Sequence, residues 1–125
     1  MGRQNLEGGK DILMTAYMIA FVTAHSLEWV PDYLEKVPQI VRRHGGEYLA
    51  LSKGVPSAVE CLEGSAAIPQ SIVIFRFPSM DAIHSLLDAP EYAPYRKARI
   101  AATESSLFAF ENDPDAPQFV GQQPV

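Results

Sequence analysis

Hydrophobic residues first alternate over residues 16–23, AYMIAFVT, where Tyr17, Ile19 and Phe21 fall on one side of an extended chain and Met18, Ala20 and Val22 on the other. Both sides of this predicted strand are apolar. The period then lengthens. Val30, Leu34, Val37, Val41 and His44 recur at three- and four-residue steps, which predicts a helix over residues 27–44 with Ser26 as its N-cap. Pro38 lies inside that span, and the missing N–H together with the ring's clash against the preceding turn predicts a kink or break near Val37. Arg42, Arg43 and His44 occupy the last turn, where cations meet the negative end of the helix dipole. Gly45 can take the left-handed conformation that stops a helix, and Gly46 lets the chain turn into the strand EYLAL.

A loop, SKGVPSA, leads to a short predicted strand over residues 59–63, VECLE, and a turn at Gly64. Residues 71–77, SIVIFRF, combine β-branched and aromatic residues and form the clearest strand pattern in the chain. Pro78 ends it. Ser79 is placed to cap a helix from Met80, with Asp81 in the first turn and Met80, Ile83 and Leu87 turned inward. Pro90 breaks that helix, which restarts and gives way to a last strand over residues 106–110. The polar, Gly-rich residues 1–13 and the Pro- and Gln-rich residues 113–125 read as flexible ends around one domain, residues 14–112.

The principal order is strand, helix, strand, strand, helix, strand, which predicts an α+β, ferredoxin-like βαββαβ domain with a four-stranded antiparallel sheet. Right-handed crossovers put both helices on one face. The strands carry apolar residues on their other face too, so a second copy is expected to cover it, the two sheets packing face to face in a homodimer.

Composition narrows the function. A chain of 125 residues, 47% of them hydrophobic, can bury one core. Fifteen acidic against ten basic residues give a net charge of -5, which argues against nucleic acid as a partner. With one cysteine, Cys61, no disulfide can close within the chain, in keeping with a reducing compartment. No apolar run reaches the roughly 18 to 20 residues of a membrane span, so the expectation is a cytoplasmic protein with no membrane partner.

Several stretches together resemble the bacterial domain-of-unknown-function family 1330, within the dimeric α/β-barrel superfamily. They are AYMIAFV, Tyr33 followed by Val37 and Pro38, HGGEYLA, VECLEG, FPSMDA, PEY at residues 90–92, and Arg99. The likeness covers residues 14–111. It departs from the family pattern at LSKGVPSA, which lacks the usual Arg-Gly-Gly, and at Leu86 and Leu87, which replace an aromatic pair. The resemblance implies a site between sheet and helices, and its superfamily includes cofactor-independent monooxygenases, isomerases and decarboxylating enzymes.

The candidate residues each have a plainer alternative. Tyr33, Tyr92 and Arg99, taken from the resemblance, offer two hydroxyls and a guanidinium to a small carboxylate or enolate; otherwise the tyrosines fill gaps and Arg99 is a surface cation. Glu60 and Arg76 are charges within apolar strands, expected either to pair with each other or to face a ligand. His44 is a helix-end cation or an acid/base group, His25 a turn residue, His84 exposed, and Cys61 a small buried apolar residue. The histidines lack metal-ligand spacing, and no phosphate-cradling loop, dinucleotide fingerprint or hydrolase elbow occurs, so neither metal nor cofactor is expected. The functional expectation is a cofactor-independent enzyme acting on a small carboxylate, phenol or enolate, in which His44 or Glu60 moves a proton and Arg99 and Arg76 steady negative charge. The alternative is a non-catalytic ligand-binding or assembly module.

Overall fold

In the computed structural model, which describes residues 15–53 and 57–115, strand β1 (Ala16–Ala24) is followed by helix α1 (Val30–Arg43) and strands β2 (Glu47–Leu51) and β3 (Ser71–Phe77). Helices α2 (Met80–Asp88) and α3 (Ala93–Ala102) precede strand β4 (Thr103–Glu111). The strands form one antiparallel sheet in the order β2-β3-β1-β4, the ferredoxin-like arrangement. β1 takes a central place, as its apolar character on both faces requires.

The inner face of the sheet presents Ala16, Met18, Ala20, Phe75 and Phe77 to the helices. α1 answers with Val37, Ile40 and Val41, and α2 with Ile83 and Leu86, all nearly inaccessible to solvent. Burying side chains of this size contributes about 1.5–3 kcal/mol each. The outer face has no such cover. Along β4 the inner Thr103, Ser105, Leu107 and Ala109 are shielded while the outer Glu104, Ser106, Phe108 and Phe110 are exposed. The outer aromatics pair across strands instead, Tyr17 with Phe110 at 5.6 Å and Phe21 with Phe108 at 5.9 Å between ring centroids.

Local chemistry sets the element ends. Ser79 Oγ accepts a hydrogen bond from the Ala82 N–H at 3.0 Å and caps α2, as expected. Gly45, at φ +86°, makes the left-handed turn that stops α1, and the Gly46 N–H closes on the Val41 carbonyl at 2.9 Å. α1 starts later than the periodicity predicts, at Val30 with Trp29 in the cap position. Ser26 does not cap it; its carbonyl accepts the Trp29 indole N–H at 2.7 Å. Pro31 fits the first turn because no N–H is needed there. The helix also runs through Pro38 without a break, its buried stripe centred on Val37, Ile40 and Val41, while Leu34 is left exposed.

Residues 59–63 form no strand. Both edges of β3 are taken, by β1 and β2, so no ladder is open to them there. The segment instead turns on itself, with Cys61 Sγ against the carbonyls of Glu63 and Gly64 at 3.3 and 3.4 Å, and Cys61 is exposed rather than buried. The flexible ends expected at residues 1–13 and 113–125 lie outside the described residues, save 113–115, as does the middle of the loop after β2.

Candidate functional site

Between α1, the start of α3 and the inner face of the sheet lies a cavity of about 330 Å³. Its walls are apolar, with Met18 and Val22 from β1, Val73 and Phe75 from β3 and Leu107 from β4. Trp29 and Tyr33 close one side, stacked edge to face at 5.0 Å, and Tyr48 packs on Phe75 at 4.6 Å. Leu34, off the core stripe of α1, stands at the wall, which accounts for its exposure.

Three polar groups from the helical side interrupt this surface, besides Tyr48, Ser52, Gln70 and Ser71 on the sheet side. The Tyr33 and Tyr92 hydroxyls share a hydrogen bond at 2.9 Å. Tyr92 is carried to this point by the Pro90 break, which lets the chain turn between α2 and α3 and leaves the Tyr92 ring buried. Arg99, one helical stretch further on, is 6% exposed, which corrects the surface-cation reading. Its Nη1 donates to Ser105 Oγ at 2.6 Å. Among the described residues no carboxylate pairs with it, whereas Arg43 and Arg76 bind Glu91 and Glu47. A buried cation held only by a neutral hydroxyl leaves donor capacity facing the cavity.

Burial first, and then the neighbouring Tyr92, pushes the Tyr33 hydroxyl well above the usual phenol range. Burial likewise pushes Tyr48 up to about 12. Both therefore stay protonated donors at neutral pH. Among the described residues no carboxylate or imidazole lines the cavity.

The structure thus brings together Tyr33, Tyr92 and Arg99 and separates them from the other candidates. Arg76 projects from the outer face, where its Nη2 and Nε reach Glu47 Oε1 at 2.7 and 3.1 Å. The expected pairing with Glu60 does not form, because Glu47 is the residue directly opposite in the β2–β3 register. Glu60 lies with Cys61 beside a broad depression over the outer face, lined also by Phe21, Ile72 and Phe108. His44 ends α1 and meets Glu91 at 3.2 Å on the surface; His84 is exposed on α2 and His25 at the bend after β1. Leu86 is in the core and Leu87 at the α3 side, neither lining the cavity. Trp29, Tyr48 and Ser105 were not expected in the site. The i, i+4 spacing of Trp29 and Tyr33 and the alternation that turns Tyr48 inward are the signals that point to the first two.

The profile described as Domain of unknown function (DUF1330) matches residues 15–112. The chain belongs to this family. No curated protein matches it. Among solved structures, this DUF1330 chain is similar to a protein of unknown function from Rhodopseudomonas palustris, at 18% identity and TM-score 0.66, over 85% of this chain and 91% of that one. It is also similar to SnoaB, described as a cofactor-independent oxygenase from Streptomyces nogalater, at 15% identity and TM-score 0.54, over 78% and 91%. At these identities the likenesses carry the ferredoxin-like fold of the DUF1330 chain and not its chemistry. No described helix is long and apolar enough to cross a membrane, and no three described His, Cys, Asp or Glu side chains gather as metal ligands.

Proposed function

We propose that the cavity receives a small phenol, enol or carboxylic acid as its anion, the apolar body against Met18, Val73 and Phe75 and the oxygen toward Arg99 and the tyrosine hydroxyls. The burial of Arg99 with no acidic partner among the described residues carries this reading. An anion there completes the guanidinium's hydrogen bonding, a charge-assisted interaction of about 1.5–3 kcal/mol. The volume sits near the lower end of the about 300–1,000 Å³ of small-molecule sites, which fits a single ring better than a nucleotide.

The chemistry that follows needs no cofactor. Arg99 stabilises an enolate or phenolate relative to its neutral parent, which lowers the pKa of the bound compound and raises the electron density available for reaction. The proton leaves to solvent, since His44 and Glu60 lie away from the cavity. That absence of a cavity base among the described residues is also the observation that favours the second reading, a module that binds the anion and does not turn it over.

Thermal-shift screening of substituted phenols, cyclic 1,3-diketones and aromatic carboxylates tests binding, since a ligand of the native state raises Tm. Hits incubated with the protein under air, with oxygen uptake and product followed, separate the two readings. A screen in which neutral isosteres bind as well as acids would overturn the assignment of Arg99.

We further propose that a second copy covers the outer face. The residues there, Tyr17, Ile19, Phe21, Ile72, Ile74, Phe108 and Phe110, form a continuous apolar surface across β3, β1 and β4. Two such faces are self-complementary, as a twofold interface needs.

A further inference from the structure

A second space opens on the other side of Arg99. It is a cleft of about 350 Å³ between α3 and the sheet-edge strand β4, where Arg96, Arg99, Thr103 and Ser105 meet beside Leu87 and Ile100. We propose that this cleft is an oxyanion site for a phosphate- or sulfate-sized dianion, held between the two guanidinium groups and the Ser105 hydroxyl.

Three observations carry it. Arg96 and Arg99 are three residues apart on one helix, so both side chains leave the same face. Arg96 Nη1 donates to the Leu87 carbonyl at 3.0 Å, which fixes the guanidinium, yet its Nε is buried without a hydrogen-bond partner among the described residues. Such an orphaned donor is costly, and a negative charge close to the guanidinium offsets part of that cost. Ser105 Oγ already accepts from Arg99, and the Thr103 hydroxyl spends its proton on the Arg99 carbonyl at 2.6 Å. Thr103 Oγ1 also stands 3.1 Å from Ser105 Oγ on the donor side, so Ser105 Oγ is an acceptor in both contacts and keeps its own proton for a ligand.

The charges decide the ligand class. The chain is acidic overall, at -5, yet among the described residues no Asp or Glu oxygen pairs with Arg96 or Arg99. Two fixed positive charges in an open, polar cleft match a dianion, and the fork of donors on each arginine matches its several oxygens. The apolar cavity, by contrast, suits a monoanion on a greasy body.

The test uses the full chain. Inorganic phosphate and sulfate are titrated at constant ionic strength, with chloride as the control, and followed by Tm and by calorimetry. The expected result is a saturable rise in Tm with phosphate or sulfate that chloride does not give. Arg96→Met weakens that binding at least tenfold while phenol or carboxylate binding in the apolar cavity is kept. Ser105→Ala, which removes one donor and little volume, weakens it severalfold and stands in should Arg96→Met not fold. No response of the wild type beyond chloride overturns the site. So does a response that Arg96→Met leaves unchanged while Arg99→Met abolishes it, since the dianion then sits in the apolar cavity.

Discussion

The hydroxyl oxygens of Tyr33 and Tyr92 lie 2.9 Å apart, joining α1 to the start of α3 across 59 residues of sequence. The bond closes one wall of the cavity and gives each phenol a defined direction. Tyr33→Phe and Tyr92→Phe are each expected to cost about 1 kcal/mol, the net value of a hydrogen bond. For a domain of this size that lowers Tm by about 4–8 °C. The double variant should lose less than the sum, because both single changes remove the same bond. Fully additive losses in a urea-melt cycle would show that the two hydroxyls act independently.

Stability should fall at high pH. The Tyr48 pKa is about 12 in the folded chain, against an ordinary 10, chiefly through burial, and Tyr33 is raised in the same direction. Below pH 10 both states hold the proton and stability is unaffected. Above it the unfolded chain releases its proton first, so stability declines as pH rises from about 10 toward 12. Tm measured from pH 8 to 11.5 should be level and then drop, and Tyr48→Phe should soften the drop. An unchanged curve in that variant would remove Tyr48 from the account.

Arg99→Met tests the cavity's anion preference. Loss of a charge-assisted hydrogen bond worth about 1.5–3 kcal/mol corresponds to about 10- to 100-fold weaker binding of an acidic phenol. Arg99→Lys keeps the charge without the planar fork and should recover only part of the affinity. Calorimetric Kd values for one acidic phenol and its methyl ether check this: the ether should bind both variants and the wild type alike.

The sheet, its order and most element positions were legible because they rest on alternation and on capping residues, which act locally: Ser79 caps α2 and Gly45 stops α1. Residues 59–63 alternate as convincingly, yet they form no ladder and turn back on themselves at Cys61, an outcome that alternation alone does not reveal. The same limit applies to charges. Glu60 and Glu47 are equally plausible partners for Arg76 until the register sets Glu47 opposite it. Tyr33, Tyr92 and Arg99 could be singled out by family resemblance, whereas Arg96 and Ser105 carry no pattern of their own and acquire meaning only beside Arg99.

The outer face predicts assembly. Phe108 is 62% exposed and packs edge to face on Phe21, so it contributes little to the core of one chain and much to any surface laid over the sheet. Phe108→Glu should leave the fold intact by circular dichroism and shift sedimentation from dimer to monomer, because two carboxylates near a twofold axis repel and lose water. A wild type that sediments as a monomer at micromolar concentration would refute the face-to-face pairing.

Gly46 offers the most local test of packing. It is buried at the turn from α1 into β2, and a Cβ there would come within 2.5 Å of the Phe77 ring and 2.8 Å of Val41 Cγ1. Both neighbours belong to the most buried part of the core, so neither can yield without opening it. Gly46→Ala should therefore destabilise the chain by about 1–3 kcal/mol through overpacking. In urea the midpoint should fall while the slope m stays the same, since the surface exposed on unfolding is unchanged. A midpoint equal to wild type would mean that the Phe77 ring can move aside, and that the contact between the α1–β2 turn and β3 is looser than these distances imply.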